Sequence, residues 1–305
     1  MSDVIIIGAG TAGLTAAIYA RRAGMEVTVF ESDSYGGQII NTPEIENYPG
    51  IKNISGFEFA TGLYEQAAAL GARVEFDKIS SVEGDFDSGF KVKGEYGTEE
   101  TGKCLIIAAG AKNRHLGIAG EEKFEGRGIS YCATCDGTFY KGKTVAVIGG
   151  GNTALEDALY LSDLCEKVYI VHRRDEYRAD ASLSGRLVSR ENIEQVLSYV
   201  VKDLKGEDRI SGVVLESRKD GSLREIEVDG IFVAVGQVPS SGVFADLVET
   251  DPSGYIVSSE DCLTNVKGIF CAGDIRTKRV RQLTTAASDG AVAALAACDL
   301  IRNNN

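Results

Sequence analysis

Positive charge is scarce in this chain of 305 residues. It has 32 Lys and Arg residues against 45 Asp and Glu residues, which gives a formal net charge of −13 at pH 7. A surface of this sign repels phosphate backbones and anionic lipid headgroups. We therefore expect neither nucleic acid nor a membrane among the partners of the protein.

A leader sequence and a long apolar run are also missing. The first residues, Met1-Ser2-Asp3-Val4-Ile5, contain no basic stretch and no cleavage site. We find no apolar run long enough to span a bilayer. These absences predict a cytoplasmic location.

The cysteines do not form the pattern of a disulfide scaffold. There are seven, an odd number, and only Cys132 and Cys135 form a closely spaced pair. A structural zinc site would need two further ligands, and the chain has no second Cys-x-x-Cys and no cluster of Cys and His. We therefore expect no metal, and we expect the other five cysteines to be small buried hydrophobes.

The cysteine pair lies in the stretch Tyr131-Cys132-Ala133-Thr134-Cys135-Asp136-Gly137. Two intervening residues allow the sulfurs to close a disulfide across one tight turn and to reopen it as a dithiol. The acid that follows can take a proton from an attacking thiol or give one to a leaving thiolate. The pattern predicts a redox centre with Cys132, Cys135 and Asp136 as its catalytic residues.

A dinucleotide-binding pattern opens the chain. A β-branched run at residues 3–7 predicts a buried strand, and Gly8-Ala9-Gly10-Thr11-Ala12-Gly13 follows it with the G-x-G-x-x-G spacing. An alanine-rich helix is predicted over 14–24 and a second strand over 26–30, which ends at Glu31. The glycines allow close approach of a pyrophosphate to the helix N-terminus, and the acid can bind ribose hydroxyls.

A second pattern of the same kind follows the cysteine pair. The predicted strand 144–148 enters Gly149-Gly150-Gly151-Asn152-Thr153-Ala154, and the next predicted strand is 167–171. An acid at the end of that strand would indicate NAD. The chain instead has His172-Arg173-Arg174 there, with Arg178 one helical turn further on. Guanidinium groups suit a phosphate dianion, so this site is predicted to prefer NADPH to NADH.

Other polar and glycine-rich segments are candidates to cover a ligand. Gly36-Gly37-Gln38 and Asn47-Tyr48-Pro49-Gly50 follow the first motif, and Gly273-Asp274 ends a predicted strand near the C-terminus. Asp274 can reach a ribityl chain or a pyrophosphate, and Arg281-Gln282 precedes a predicted helix over 284–301. Residues 113–122 and 239–242 are polar segments that contain glycine, which predicts that the chain crosses between two domains there.

With these segments identified, the chain resembles a low-molecular-weight, bacterial-type thioredoxin reductase along essentially its whole length. The stretch Cys132-Ala133-Thr134-Cys135-Asp136, placed ahead of a second glycine turn, is the most specific feature, since many flavoproteins share the glycine turns alone. Two departures from the family pattern are Thr11, where proline is frequent, and Cys271, where alanine is commoner.

The resemblance implies an α/β fold of two dinucleotide-binding, Rossmann-like, three-layer domains, with the NADPH-binding domain inserted into the FAD-binding domain. It places the FAD-binding domain at 1–113 and 243–305 and the NADPH-binding domain, which carries the cysteine pair, at 114–242. It also implies a homodimer whose protein substrate is thioredoxin.

The resemblance further implies a set of residues that contact each cofactor. Those expected at FAD are Gly8, Gly10, Thr11, Ala12, Gly13, Glu31, Gly37, Gln38, Asn47, Gly273, Asp274, Arg281, Gln282 and Leu283. Those expected at NADPH are Gly149, Gly151, Asn152, Thr153, Ala154, His172, Arg173, Arg174 and Arg178. Since the chain has only two histidines and one is assigned to this phosphate site, Asp136 is the expected acid and base.

The implied activity is that NADPH reduces FAD, FAD reduces the Cys132–Cys135 disulfide, and the resulting dithiol reduces oxidised thioredoxin. Because the dithiol and the nicotinamide site lie in one inserted segment, while the flavin lies in the other domain, the inserted domain is expected to rotate between half-reactions. Which cysteine faces the flavin stays open.

Alternative functions remain. A ferredoxin-driven thioredoxin reductase or a flavin dithiol oxidase tends to lose the second glycine turn or the basic cluster, and both are intact here. The flavoprotein half of a peroxiredoxin-reducing system normally carries extra N-terminal domains. A reductase of another small dithiol protein fits the same residues.

Overall fold

Short β-branched runs form the central, parallel strands of two separate sheets. The computed structural model describes residues 1–304, and for Asn41 the backbone alone. The chain divides into a first unit, Met1–Lys112 with Val238–Asn305, and a second unit, Asn113–Gln237. Asn305, the last residue of the predicted FAD-binding domain, lies outside the described residues.

The strands are numbered in chain order: β1 (Ser2–Ile7), β2 (Val27–Glu31), β3 (Arg73–Phe76), β4 (Ile79–Asp85), β5 (Gly89–Gly94), β6 (Glu99–Ile107), β7 (Ala111–Asn113), β8 (Ile129–Ser130), β9 (Thr144–Gly149), β10 (Lys167–His172), β11 (Ile193–Leu197), β12 (Tyr199–Gly206), β13 (Ile210–Ser217), β14 (Leu223–Glu227), β15 (Gly230–Ala234), β16 (Gln237–Pro239) and β17 (Ile269–Cys271). The α-helices are α1 (Thr11–Arg22), α2 (Gly56–Ala69), α3 (Glu121–Phe124), α4 (Ala133–Asp136), α5 (Asn152–Ser162), α6 (Ala181–Val188) and α7 (Leu283–Asn303).

The sheet of the first unit has the order β3-β2-β1-β6-β5-β4, and β17 also pairs with β6. The pairs among β3, β2, β1, β6 and β17 are parallel, whereas β5 is antiparallel to both of its neighbours, β4 and β6. Alternate residues of β1 point to opposite faces. Val4 and Ile6 pack against α1 and α7, while Ile5 and Ile7 pack with Phe90 and Ile256 on the other face.

The sheet of the second unit is parallel, with the order β11-β10-β9-β15-β8. On one face, Val145 and Val147 of β9 pack against Leu155 and Leu159 of α5. On the other face, Ala146 and Ile148 of β9 belong to the cluster that includes the antiparallel sheet β12-β13-β14. Each unit therefore has three layers around a parallel sheet, and the predicted α/β fold of two Rossmann-like units is confirmed.

The chain passes between the units at 112/113 and at 237/238, whereas the sequence analysis places the boundaries at 113/114 and 242/243. Close to these passages the backbone is hydrogen-bonded within each unit. In the first unit Ser240 N donates to Gly110 O at 3.0 Å, and in the second unit Arg114 N donates to Gly236 O at 3.0 Å. The assignment of FAD to the first unit and NADPH to the second stays a prediction.

Helix α7 departs from the expectation that no apolar run of this chain is long enough to span a bilayer. By length and composition alone, this helix is long and apolar enough to cross a membrane, and it is the one such helix in the described chain. It nevertheless carries the buried Asp289, and its Ala293, Ala297 and Cys298 are completely buried in the cluster shared with α1. The apolar run is accounted for by this contact with α1 in the core of the first unit.

Candidate functional site

The structure brings Cys132 and Cys135 together as a disulfide with a Cα–Cα distance of 5.3 Å. Cys132 is the N-cap residue of α4, a single helical turn, and its carbonyl accepts from the backbone N–H groups of Cys135 and Asp136. Cys132 is half-buried and Cys135 is exposed. A disulfide placed at such a surface turn can exchange with an external thiol.

Asp136 is connected to the cysteine pair through Ser130, which the sequence analysis missed. Ser130 Oγ donates to Asp136 Oδ2 at 2.6 Å and accepts from Cys132 N–H at 3.1 Å. Burial raises the pKa of Asp136, and the hydrogen bond from Ser130 opposes part of this effect. The carboxyl group therefore keeps its proton to a higher pH than an ordinary aspartate, as an acid that protonates a thiolate requires. A serine two residues before a Cys-x-x-Cys was the available signal.

The first glycine turn connects β1 to α1 in the first unit. A Cβ atom on Gly13 would overlap the carbonyl oxygen of Gly8, so α1 approaches the turn more closely than any side chain permits. Gly10 is the N-cap, and no side chain among the described residues caps this helix. By contrast, Ser55 and Glu58 form a complete capping box on α2. The first N–H groups of α1, from Thr11 onward, are therefore left for an anion.

Glu31 lies beside this turn at the end of β2. Its Oε2 accepts from Ala9 N–H at 2.8 Å, and its Oε1 accepts from Asp33 N–H at 3.1 Å. The predicted covering segment lies there too, since Gly36 N donates to Ala9 O at 2.8 Å. Gln38 is held through a hydrogen bond from its side-chain amide to Ala111 O. The arrangement puts an acid and a glycine-rich strap around one helix N-terminus.

The C-terminal part of the predicted FAD set lies in the same unit. A Cβ atom on Gly273 would come within 2.9 Å of Ala12, whose helix begins at the glycine turn. Asp274 Oδ1 and Arg281 Nε are buried and find no hydrogen-bond partner among the described residues. Burial raises the pKa of Asp274. Two unsatisfied polar atoms at this turn fit a polar ligand such as the ribityl or pyrophosphate part of FAD.

Gln282, Leu283 and Asn47 complete this set. Gln282 is the N-cap residue of α7, which begins at Leu283, and Thr285 closes a capping box with it. Asn47 Nδ2 donates to Gln282 Oε1 at 3.3 Å. The structure thus places every residue of the predicted FAD set in the first unit, and their contact with FAD stays a prediction.

The turn that carries Asp274 is held by residues that the sequence analysis missed. The buried carboxylate of Asp289 accepts from Gly273 N, from the Arg276 guanidinium and from Lys278 Nζ, at 2.8–2.9 Å. These hydrogen bonds lower the pKa of Asp289, although burial alone would raise it. An aspartate in an otherwise alanine-rich helix was the signal that could have revealed this cluster.

The second glycine turn connects β9 to α5 in the second unit. Gly151 is the N-cap, and again no side chain among the described residues caps the helix. A Cβ atom on Gly150 would overlap the ring of His172, so the turn and the end of β10 are in close contact. Asn152 and Thr153 are exposed at the start of α5, whereas Ala154 is buried beneath them beside Gly149.

The basic cluster borders this turn. Arg178 N donates to Gly150 O at 2.7 Å, and Arg173, Arg174 and Arg178 are all exposed. His172 differs from them because its ring is buried, with Nε2 unpartnered among the described residues, and burial lowers its pKa. Three exposed guanidinium groups beside an uncapped helix fit the extra phosphate of NADPH.

Asp180 is an acid near this cluster that the sequence analysis did not identify. It is paired with Asn152, whose Nδ2 donates to Asp180 Oδ2 at 3.0 Å, while Asp180 N donates back to Asn152 Oδ1 at 2.9 Å. This pair fixes the first residue of α5. Within residues 1–304, no group of three or more His, Cys, Asp or Glu residues is placed to hold a metal ion.

Known proteins are similar to this chain in sequence and in fold. The family described as pyridine nucleotide-disulphide oxidoreductase matches residues 2–290. A thioredoxin reductase of Treponema pallidum is 44% identical over 300 residues, which cover 98% of this chain and 97% of the relative. One of Bacillus subtilis is 41% identical over 293 residues, with 96% and 92% covered. The solved structure of thioredoxin reductase from Streptococcus pyogenes overlays with a TM-score of 0.93, at 40% identity and 99% coverage of both chains.

Proposed function

Because the chain belongs to the pyridine nucleotide-disulphide oxidoreductase family, and within it to the thioredoxin reductases, we propose that it transfers electrons from NADPH to the disulfide of a thioredoxin. The observation that carries this proposal is the surface disulfide Cys132–Cys135 with Asp136, whose pKa is raised by burial, in the same helical turn. A purely structural disulfide needs no acid beside it.

FAD and NADPH are the cofactors, and FAD, when bound, accepts a hydride and passes two electrons on to a disulfide. In the first unit, the N–H groups at the start of α1 bind the pyrophosphate of FAD and Glu31 binds ribose hydroxyls. Asp274 and Arg281 use their unsatisfied atoms on the same ligand. Gly273 allows the turn that carries Asp274 to lie against α1.

The second unit binds NADPH. The N–H groups at the start of α5 receive its pyrophosphate, and Arg173, Arg174 and Arg178 bind the phosphate that distinguishes NADPH from NADH. His172 supports this site from beneath, since its buried ring lies against Gly150.

The exchange step uses the chain's own residues. A thiolate of the reduced pair attacks one sulfur of the thioredoxin disulfide, which forms a mixed disulfide and releases the other thioredoxin sulfur as a thiolate. The second cysteine of the pair then attacks the mixed disulfide, so the pair returns to Cys132–Cys135 and thioredoxin leaves as a dithiol. Two electrons move in total, and Asp136 supplies a proton to a departing thiolate.

The inserted unit rotates between half-reactions in this proposal. Supporting it, the cysteine pair and the arginine cluster belong to one unit, whereas the predicted flavin residues belong to the other. We also propose that the protein is cytoplasmic and that it forms a homodimer. Light scattering of the purified protein would test the dimer. Arg127, just ahead of the pair, is a candidate contact for thioredoxin.

An anaerobic titration with NADPH and, separately, with NADH tests the electron route. Bleaching of the flavin absorbance is expected at far lower NADPH than NADH, with uptake of two reducing equivalents beyond those that FAD requires. If neither nucleotide bleaches the flavin, a ferredoxin-driven reductase becomes the better interpretation. If the flavin bleaches but thioredoxin stays oxidised, the substrate is another small dithiol protein.

The arginine cluster provides a matched variant for the same titration. Replacing Arg173 and Arg174 by alanine removes charge-assisted hydrogen bonds to the phosphate, so the NADPH concentration for half-bleaching should rise about 10- to 100-fold. The NADH titration should not change. Arg218→Ala, at another exposed arginine of the same unit, is the control and should leave both titrations as in the parent protein. Equal loss with NADH and NADPH would contradict the assignment of these residues.

A further inference from the structure

Glu121 is a buried carboxylate near the cysteine pair that no step of the proposed reaction uses. Only 3% of the residue is exposed. Its Oε1 accepts from Leu116 N–H at 2.8 Å, and its Oε2 accepts from Gly117 N–H at 2.8 Å. Oε1 also accepts from the hydroxyl of Tyr131 at 2.9 Å. A buried carboxyl group that accepts three hydrogen bonds therefore ties residues 116–117 to the residue that directly precedes Cys132.

His115 joins this group from the solvent side. Its Nδ1 lies 2.8 Å from the Tyr131 hydroxyl oxygen, and its side chain is 50% exposed. A tyrosine hydroxyl has one hydrogen, and here that hydrogen goes to the Glu121 carboxylate. His115 must therefore donate from Nδ1–H to the tyrosine oxygen. Burial and the bond to Glu121 raise the pKa of Tyr131, which keeps its hydroxyl hydrogen in place.

The position of Tyr131 gives this cluster a connection to the redox centre. The strand ahead of the pair, β8, has only two residues and ends at Ser130. Directly beyond it, the Cys132 N–H donates to the Ser130 side chain at 3.1 Å. The two residues before Cys132 are thus each fixed by a side-chain hydrogen bond. Ser130 is bonded to Asp136, and Tyr131 is bonded to Glu121.

We propose that Glu121, Tyr131 and His115 form a latch that positions Cys132 opposite Cys135 for disulfide exchange, an inference that rests on the proposed function for its biological meaning. The three are positioning residues, since they act through the backbone of residue 131. The latch fixes one end of a segment that must keep two sulfurs within bonding reach in the dithiol state as well as in the disulfide state. Fixing that segment raises the effective concentration of one thiol at the other.

The direct test is the equilibrium of the pair with dithiothreitol in the full-length holoprotein. In this exchange the Cys132–Cys135 disulfide takes two electrons and two protons from reduced dithiothreitol, which becomes the cyclic disulfide. The dithiol fraction is measured by rapid alkylation and mass spectrometry across a series of dithiothreitol redox buffers. Tyr131→Phe keeps the ring and removes both hydrogen bonds, so the equilibrium should shift toward the dithiol by about three- to tenfold.

A matched control separates this effect from a general loss of a tyrosine hydroxyl. Tyr96 is 82% exposed and lies in the other unit, so Tyr96→Phe should leave the equilibrium unchanged. If Tyr131→Phe lowers the unfolding midpoint but leaves the dithiothreitol equilibrium at the parent value, the residue is merely structural and the latch is refuted.

Substitutions at the other two members test the hydrogen-bond directions. His115→Gln keeps an N–H donor and should behave like the parent protein, whereas His115→Leu should shift the equilibrium in the direction of Tyr131→Phe. Glu121→Gln places an amide donor where only acceptors fit, so it should shift the equilibrium at least as far. A parent-like result for His115→Leu and Glu121→Gln would overturn the assignment.

Turnover measurements distinguish failure of the latch from failure of the proposed function. With NADPH and an oxidised bacterial thioredoxin, Tyr131→Phe should slow turnover by about three- to tenfold while NADPH-driven reduction of ferricyanide is unchanged. If the parent protein does not reduce thioredoxin but the dithiothreitol equilibrium still shifts, the proposed function fails and the latch stands. If thioredoxin is reduced and Tyr131→Phe matches the parent protein in both assays, the latch fails and the function stands.

Discussion

At Asp136, burial and a hydrogen bond act on one carboxyl group in opposite directions. Burial favours the protonated form, while the hydrogen bond from Ser130 favours the ionised form, and the pKa is raised because burial is the larger effect. The pKa of this carboxyl group is thus moved toward the pH range in which it can both donate and accept a proton, as an acid and base in thiol exchange requires.

We therefore expect Asp136→Asn to slow the reduction of thioredoxin by about 100-fold or more, since an amide cannot exchange a proton with a thiolate. NADPH-driven reduction of ferricyanide should continue at the parent rate, because it does not involve the cysteine pair. Stopped-flow measurement of both reactions checks this. The exposed Asp208 of the same unit supplies a control, Asp208→Asn, which should change neither rate. Equal losses in both reactions would remove Asp136 from thiol chemistry.

A second acid in this unit makes a prediction about pH and stability. Burial, with a smaller contribution from neighbouring Glu156, raises the pKa of Asp157 to about 7. The folded chain thus binds this proton more tightly than the unfolded chain, whose aspartate titrates near about 4. The proton on Asp157 therefore stabilises the folded chain fully below the unfolded pKa of about 4. This stabilisation is lost as the pH rises through the folded pKa of about 7.

Asp157→Asn should consequently raise the urea midpoint of unfolding at pH 8 and have little effect on it at pH 4. Urea titrations at the two pH values, followed by far-UV circular dichroism, measure the difference. Asp208→Asn again serves as the comparison, with no pH-dependent gain expected. A midpoint for Asp157→Asn that is lower than that of the parent protein at pH 8 would show that the charged carboxylate is stabilised in the fold.

Among the elements, the contrast between α1 and α2 shows what each helix start is built to do. Helix α2 satisfies its first N–H groups with Ser55 and Glu58, so it needs no ligand. Helix α1 has a glycine N-cap and approaches β1 so closely that Gly13 contacts the backbone of Gly8. Helix α2 thus satisfies its own N-terminus, whereas α1 leaves N–H groups that an anion is predicted to bind.

Gly13→Ala and Gly62→Ala should accordingly have opposite effects. A methyl group on Gly13 meets backbone that cannot move aside, so we expect a loss of about 1–3 kcal/mol in the free energy of unfolding and weaker retention of FAD. Gly62 in α2 is exposed with open space around it, so alanine there should add about 0.5–1 kcal/mol. Chemical unfolding and FAD fluorescence measure both effects. Similar behaviour of the two variants would contradict the close approach at Gly13.

The strands and glycine turns could be predicted from sequence because their signals are local. The β-branched runs at residues 3–7 and 144–148 match β1 and β9 within one residue. Helix α1 was predicted three residues too late, since the glycine turn itself forms the first helical turn. Strand β6 begins at Glu99, where its first residues pair with β5, and pairing between two segments gives no local signal in the sequence.

Side-chain pairs between distant elements could not be predicted in this way. The Arg276–Asp289 ion pair and the Tyr131–Glu121 hydrogen bond join residues 13 and 10 positions apart through a turn or a loop. In each case one partner lies in an unremarkable polar stretch, and only tertiary structure brings the second partner to it. The sequence therefore predicts candidate reactive residues but not the residues that hold them in place.

At the scale of the whole molecule, the predicted electron route uses residues from two units. The first unit contains the whole predicted FAD set, and the second contains both the arginine cluster and the disulfide. In the proposed function, nicotinamide and disulfide each approach a flavin that the other unit is predicted to hold, so we expect a complete cycle to include a movement of one unit against the other. We expect the two passages of the chain between the units to absorb this movement.

If this motion limits turnover, the rate of thioredoxin reduction should fall as solvent viscosity rises. Raising the microviscosity about threefold with sucrose should slow turnover by nearly the same factor, since domain motion is damped by solvent. An equal mass of a large polymer, which raises bulk viscosity without damping such motion to the same degree, is the control. Diffusive encounter with thioredoxin is removed from the measurement by working at saturating thioredoxin. A turnover rate that is independent of sucrose under those conditions would mean that a chemical step, and not rotation of the inserted unit, limits the cycle.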